Sequence, residues 1–121
     1  MSDPFVSIID FSTTISEPTK RRLADLPGRV VEGDPHHETT SRFQSPDKTL
    51  LAGTWTSTPG KWNAFSDRDE FCYIISGHVQ LISESGEVCD FRAGDAFLIP
   101  NGFRGFWKVI ETTTKHYVIR D

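Results

Sequence analysis

No run of about 18 apolar residues occurs anywhere in the chain, so a membrane-spanning helix is not expected. The opening residues, MSDPFVSIIDFSTT, offer neither a basic leader nor an apolar stretch of secretory-signal length. The expected location is therefore cytoplasmic. Cysteine is scarce: Cys72 and Cys89 are the only two, too few for a disulfide framework. Each fits the role of a small buried hydrophobe, and the two are expected on non-neighbouring strands, unbridged. Basic clusters are almost absent. Lys20, Arg21 and Arg22 form the one short run, and 17 acidic against 13 basic residues leave a net charge of −4. That balance excludes nucleic acid as an expected partner. A phosphate-cradling glycine loop, a Gly-x-Ser-x-Gly elbow and a Cys-x-x-Cys pair are also missing, which removes the corresponding nucleotide, serine-hydrolase and zinc chemistries.

What remains is one ordinary domain. A chain of 121 residues, 36% hydrophobic and 25% charged, can bury a core without staples. Residues 1–40 read as an irregular arm able to wrap the domain or a partner subunit. FVSIIDF, Phe5 to Phe11, suggests one short strand. A helix of at most two turns is expected from Ser16 to the stop at Pro27-Gly28. VVEGDPHHETTS reads as turn and loop, with His36 and His37 exposed in it. Residues 41–121 differ. Short β-prone runs (TLLAGTWTST, EFCYIIS, HVQLIS, VCDF, AFLI, GFWKVI, KHYVIR) alternate with Gly, Pro, Asn and Ser turns. Seven or eight such strands at regular spacing predict an all-β, antiparallel sandwich or barrel.

Strand alternation groups side chains by face. Glu70, Cys72 and Ile74 share one face, and Phe71, Tyr73 and Ile75 the other. Gly105, Trp107 and Val109 go together. Lys115, Tyr117 and Ile119 oppose His116 and Val118. Both faces of EFCYIIS are apolar enough to be covered, one by a core and one by a twin subunit, so a homodimer is expected.

Two stretches carry a more specific signal. In DEFCYIISG, Glu70 and Gly77 are separated by six residues. In GDAFLIPNGFRGFW, Gly94, Pro100 and Gly102 have the spacing Gly, five residues, Pro-any-Gly. In this the chain resembles the cupin superfamily, over roughly residues 50–119. The resemblance implies a jelly-roll barrel and a metal held by three histidines and a glutamate. Only Glu70 of those four is present. No histidine lies in Asn63, Ala64, Phe65 or Ser66, and the second-motif histidine position holds Gly105. A Trp-rich first motif ending Glu-any-Cys-Tyr-Ile, with Gly-Phe-Arg-Gly-any-Trp in the second, is similar to a subfamily of small single-domain cupins. That subfamily is grouped with the cupin domains of ureidoglycine aminohydrolase and of ethanolamine-utilisation proteins.

The candidate site follows from these faces. Glu70 inside a cavity would lose hydration, and its pKa is expected to rise towards neutrality, suiting a general acid or base. The alternative is a glutamate paired with Arg104 or Lys115. Cys72, beside that carboxylate, is not activated by it. Trp55, Trp62, Phe65 and Trp107 would form an aromatic wall for a planar or sugar-like ligand, or pack as ordinary core. Tyr117 and His116 on the last strand complete the candidate ligand-binding set. Arg104 and Lys108 would hold an anion or point to solvent. His78 is expected to be exposed. No cofactor is expected, although a non-standard divalent metal at Glu70, with His116 and Cys72, is an alternative. The resulting expectation is a small-molecule-binding cupin of unknown reaction. The second reading is an enzyme of ureides, amino alcohols or sugars that uses Glu70 in proton transfer.

Overall fold

The two runs EFCYIIS and HVQLIS are one strand, not two. In the computed structural model, which describes residues 6–13 and 17–121, a single strand spans Asp69–Ser83, and a second long strand joins GFWKVI to KHYVIR over Arg104–Arg120. In chain order the elements are β1 (Thr19–Arg22), a single 3-10 turn (Leu23–Asp25), β2 (Val30–Gly33), β3 (His36–Gln44), β4 (Leu50–Ser57), β5 (Gly60–Phe65), β6 (Asp69–Ser83), β7 (Val88–Arg92), β8 (Ala96–Ile99) and β9 (Arg104–Arg120). Every pairing is antiparallel.

Two leaves share the long strands. The second half of β9 pairs with β4 and with the first half of β6, which in turn pairs with β8. The first half of β9 pairs with β5 and with the second half of β6, which pairs with β7. β3 and β1 extend the first leaf, and β2 extends the second. Rings from the two leaves meet: His37 of β3 lies 4.8 Å from Trp62 of β5, and Phe97 of β8 lies 4.0 Å from Phe91 of β7. This curled sheet is the antiparallel arrangement expected from the strand spacing, in the jelly-roll form that the family resemblance implied.

Gly77 sets the bend rather than a chain reversal. Its φ is +107°, and three register shifts cluster between Ile74 and Val79. A Cβ there would run into Thr113 Oγ1 and come within 2.5 Å of the Thr112 carbonyl oxygen. Thr113, fully buried across the bend, accepts the His78 N–H at 3.1 Å and donates to the Glu111 carbonyl at 2.8 Å. The strand can turn the corner because glycine alone allows both the dihedral and the approach. Beneath it lies the core of Cys72, Ile74, Val79, Leu81, Trp107 and Val109. Full burial of Ile74 and Val79 alone contributes about 2 kcal/mol each.

The N-terminal third departs most from expectation. Residues 6–11 form no strand, and Phe5 lies outside the described residues. The expected helix is a single 3-10 turn preceded by strand β1, while its proposed start, Ser16, also lies outside the described residues. VVEGDPHHETTS is not loop but β2 and most of β3, so the division drawn at residue 40 falls inside a strand. The polar residues of β3 hid it, because an edge-proximal strand needs little apolar content. His78 is buried rather than exposed, and its Nε2 lies 2.6 Å from Asp90. Cys72 and Cys89 sit on the paired strands β6 and β7, contrary to the expected layout. Cys89 is opposite Leu81, however, so the two thiols are far apart along β6 and both are free.

Candidate functional site

A cavity of about 420 Å³ opens between the leaves. Its floor is a buried ion pair. Glu70 and Cys72 project inward from β6, while Lys115 and Tyr117 project inward from β9, as their shared parity requires. Register places Cys72 opposite Tyr117 and Ile74 opposite Lys115. Lys115 Nζ lies 2.7 Å from Glu70 Oε2 and 3.5 Å from Cys72 Sγ. The ammonium also sits over two indoles, 4.6 Å from the Trp55 ring centre and 4.4 Å from that of Trp107. At 5% exposure, Lys115 keeps its charge only because a carboxylate and two π-faces replace its lost water.

Protonation follows from these contacts. Burial pushes Glu70 upward, but the charge and hydrogen bond of Lys115, helped by the Cys72 thiol and by Arg68, outweigh it, and the carboxyl lies below its ordinary value. The expected rise towards neutrality is thus reversed, because the desolvated acid has acquired a desolvated cation. For Lys115, burial works downward and Glu70 more than compensates, so the ammonium is retained. Burial pushes the Cys72 thiol up to about 12, which leaves it protonated and inert as a nucleophile. His37 lines the cavity between Trp55 and Trp62, with ring centres 4.9 and 4.8 Å away. Burial, then the charges of Lys115, Arg21, Arg29 and His36, lower its pKa to about 4, so it is neutral. Its Nε2 is buried, with no hydrogen-bond partner among the described residues.

The expected site residues divide into three groups. Trp55, Trp62, Phe65, Glu70, Trp107 and Tyr117 all line the cavity. Trp62 and Trp107 stack nearly parallel with centres 6.2 Å apart and are largely core, whereas Phe65 is 56% exposed at the rim. Cys72 lies under the floor and is fully buried. His116 is on the opposite face of β9, bonded to Thr54 Oγ1 at 2.9 Å and edge-on to Phe11. Its place in the candidate ligand set is therefore corrected. Arg104 does not reach Glu70; it bonds Asp67 at 3.1 Å, and neither it nor Lys108 lines the cavity.

The residues present do not fit the metal that the fold implies. Glu70 is engaged by an ammonium, Cys72 holds its proton, and His116 points away, so the Glu70, His116 and Cys72 set is not assembled. Among the described residues no three His, Cys, Asp or Glu side chains converge. The second-motif histidine position cannot take any side chain: a Cβ on Gly105 would collide with the Ile82 carbonyl oxygen and lie 2.9 Å from its carbon. Close approach of β9 to β6 requires the glycine there.

Three ionisable cavity residues escaped the sequence reading. Arg29 precedes a four-residue strand, Arg68 sits in a turn, and His37 lies on a polar strand. None of them belongs to an apolar alternation. The only local hint was Pro35 followed by the β-prone Thr39 and Thr40, since proline suits the start of a strand.

The family model for the EutQ-like cupin domain matches residues 44–117. No curated protein matches the chain by sequence. Among solved structures, EutQ of Clostridium difficile superposes with a TM-score of 0.65 at 20% identity, covering 83% of this chain and 69% of that one. A DUF861-family protein of unknown function from Pseudomonas syringae gives a TM-score of 0.76 at 21% identity, over 92% of this chain but only 46% of the other. A Thermotoga maritima DUF861 protein gives 0.51 at 28% identity, covering 66% of this chain and 97% of that one. At such identities the first two likenesses bear on fold alone.

Proposed function

The chain belongs to the EutQ-like cupin domain family, and from that premise we propose that it binds a small molecule in the cavity between its leaves. The observation that carries this reading is the Lys115–Glu70 pair beneath Trp55 and Trp107. A buried ion pair is an expensive way to fill a core, and replacement by apolar residues is often neutral or better for stability. Polar groups converging at the base of an aromatic cavity of this volume match the usual anatomy of a ligand site.

The enzyme reading, with Glu70 in proton transfer, has less support. An acid held ionised by a cation at 2.7 Å is a poor proton donor at neutral pH, and its lone pair facing Lys115 is not free to act as a base. Ureides, amino alcohols and sugars remain substrate classes for that reading.

The test uses a convenient feature: all three tryptophans of the chain line the cavity. Their indole N–H signals in a ¹H–¹⁵N NMR spectrum should shift when members of a fragment collection bind. We expect hits that move at least the Trp55 signal and that are lost in Trp55→Ala. Hits that move only amides of the outer sheet faces would defeat the proposal.

A further inference from the structure

We infer that the cavity selects a small organic anion, its acid group held by Arg29 and Arg68 and its body laid against the Trp55 wall. This rests on the reading of the cavity as a ligand site and adds the charge of the ligand. Among the described residues three cations line it, Arg29, Arg68 and Lys115, against a single carboxylate, Glu70. His37 is neutral and Tyr117, raised chiefly by burial, is too. The excess of two positive charges stands out in a chain whose overall charge is −4.

Lys115 is already neutralised by Glu70, so the excess belongs to the two arginines. Arg29 is held in place: its Nε donates to the Asn63 carbonyl at 2.7 Å, and its guanidinium lies over the Phe65 ring, 5.0 Å from the centre. Among the described residues its terminal nitrogens make no hydrogen bond, and neither Arg29 nor Arg68 has a carboxylate partner. Burial lowers the pKa of Arg29, so the guanidinium has lost water without gaining an anion. Most exposed arginines behave differently: Arg22, Arg92, Arg104 and Arg120 each meet an aspartate. A planar guanidinium that is stacked and oriented, with its outer edge free, suits a bidentate carboxylate or phosphate. The indoles beside it suit a flat apolar body.

The experiment compares four ligands of nearly one shape: benzoate, phenyl phosphate, the neutral benzamide and the cation benzamidine. Each is titrated into the full chain and followed by the three indole N–H shifts. Benzoate or phenyl phosphate should bind at least tenfold more tightly than benzamide, and benzamidine should not bind. Whichever anion is preferred identifies the acid group. Arg68→Gln should remove at least tenfold of the anion affinity and leave benzamide unchanged, and Arg29→Gln should do the same. Near-UV circular dichroism checks that each variant keeps its tryptophan packing. Should Arg29→Gln lose that packing, Arg68→Gln alone decides. Benzamide binding as tightly as benzoate, or anion affinity unmoved by Arg68→Gln, would overturn the anion assignment while leaving the cavity a ligand site. Failure of every probe to move any indole signal would overturn both.

Discussion

Folding lowers the proton affinity of His37, mainly by burial, from an ordinary 6.5 to about 4. Between those values the unfolded chain binds the proton and the folded chain does not. Stability therefore rises with pH across that window, is complete above about pH 6.5, and is lost as pH falls towards 4. Glu70 acts lower down. Its folded pKa lies below the ordinary 4.5, so its contribution is present above that pH and is lost only as pH falls through its folded value. His116, lowered by burial and by Arg42, adds a component of the same sign as His37. The urea midpoint of the wild type should thus fall steadily from pH 6.5 to 4. His37→Phe, which keeps a ring between Trp55 and Trp62, should flatten most of that slope. An unchanged slope in the variant would assign the loss to other groups.

The bend in β6 is the element on which the two leaves depend. Gly77→Ala adds left-handed strain and an overlap with β9, together about 3 kcal/mol or more. Gly94, between β7 and β8, offers the control. Its φ is +91°, but a Cβ there meets nothing within 4 Å, so Gly94→Ala should cost only the backbone strain, about 1 kcal/mol. Chemical denaturation of the two variants separates the contributions. Equal losses would mean that the contact with Thr113 does not constrain the corner. From the sequence Gly77 looked like the end of a strand, because positive φ is needed by a hairpin and by a bend alike.

For the molecule as a whole, the outer face of β8, β6 and β9 carries the expectation of a homodimer. Leu98, Phe71 and Val118 stand in one cross-strand row, and Ala96, Tyr73 and His116 in the next. Leu98 is 59% and Phe71 45% exposed. We propose that a second copy covers this face, since a largely apolar patch can meet its own copy about a two-fold axis. Sedimentation velocity should show a dimer, and Phe71→Glu with Tyr73→Glu should give a folded monomer. A monomeric wild type would leave the face without this partner.

Most β-runs from Leu50 onward were legible because their signals are local. Alternation, the turn residues and the spacing from Glu70 to Gly77 and from Gly94 to Gly102 depend on neighbours a few residues away. Those signals determined the all-β fold and the shared face of Glu70 and Cys72, but not that this face turns inward. They did not determine what Glu70 would meet. Its partner lies 45 residues further along the chain, and the direction of its pKa shift reversed once β9 brought Lys115 to it. Nor did they place His37, Arg29 or Arg68, which reach the cavity through a polar strand and two turns without periodic pattern. Secondary structure is written in short-range sequence, whereas the charge of the cavity was decided by which strands became neighbours when the two long ones bent.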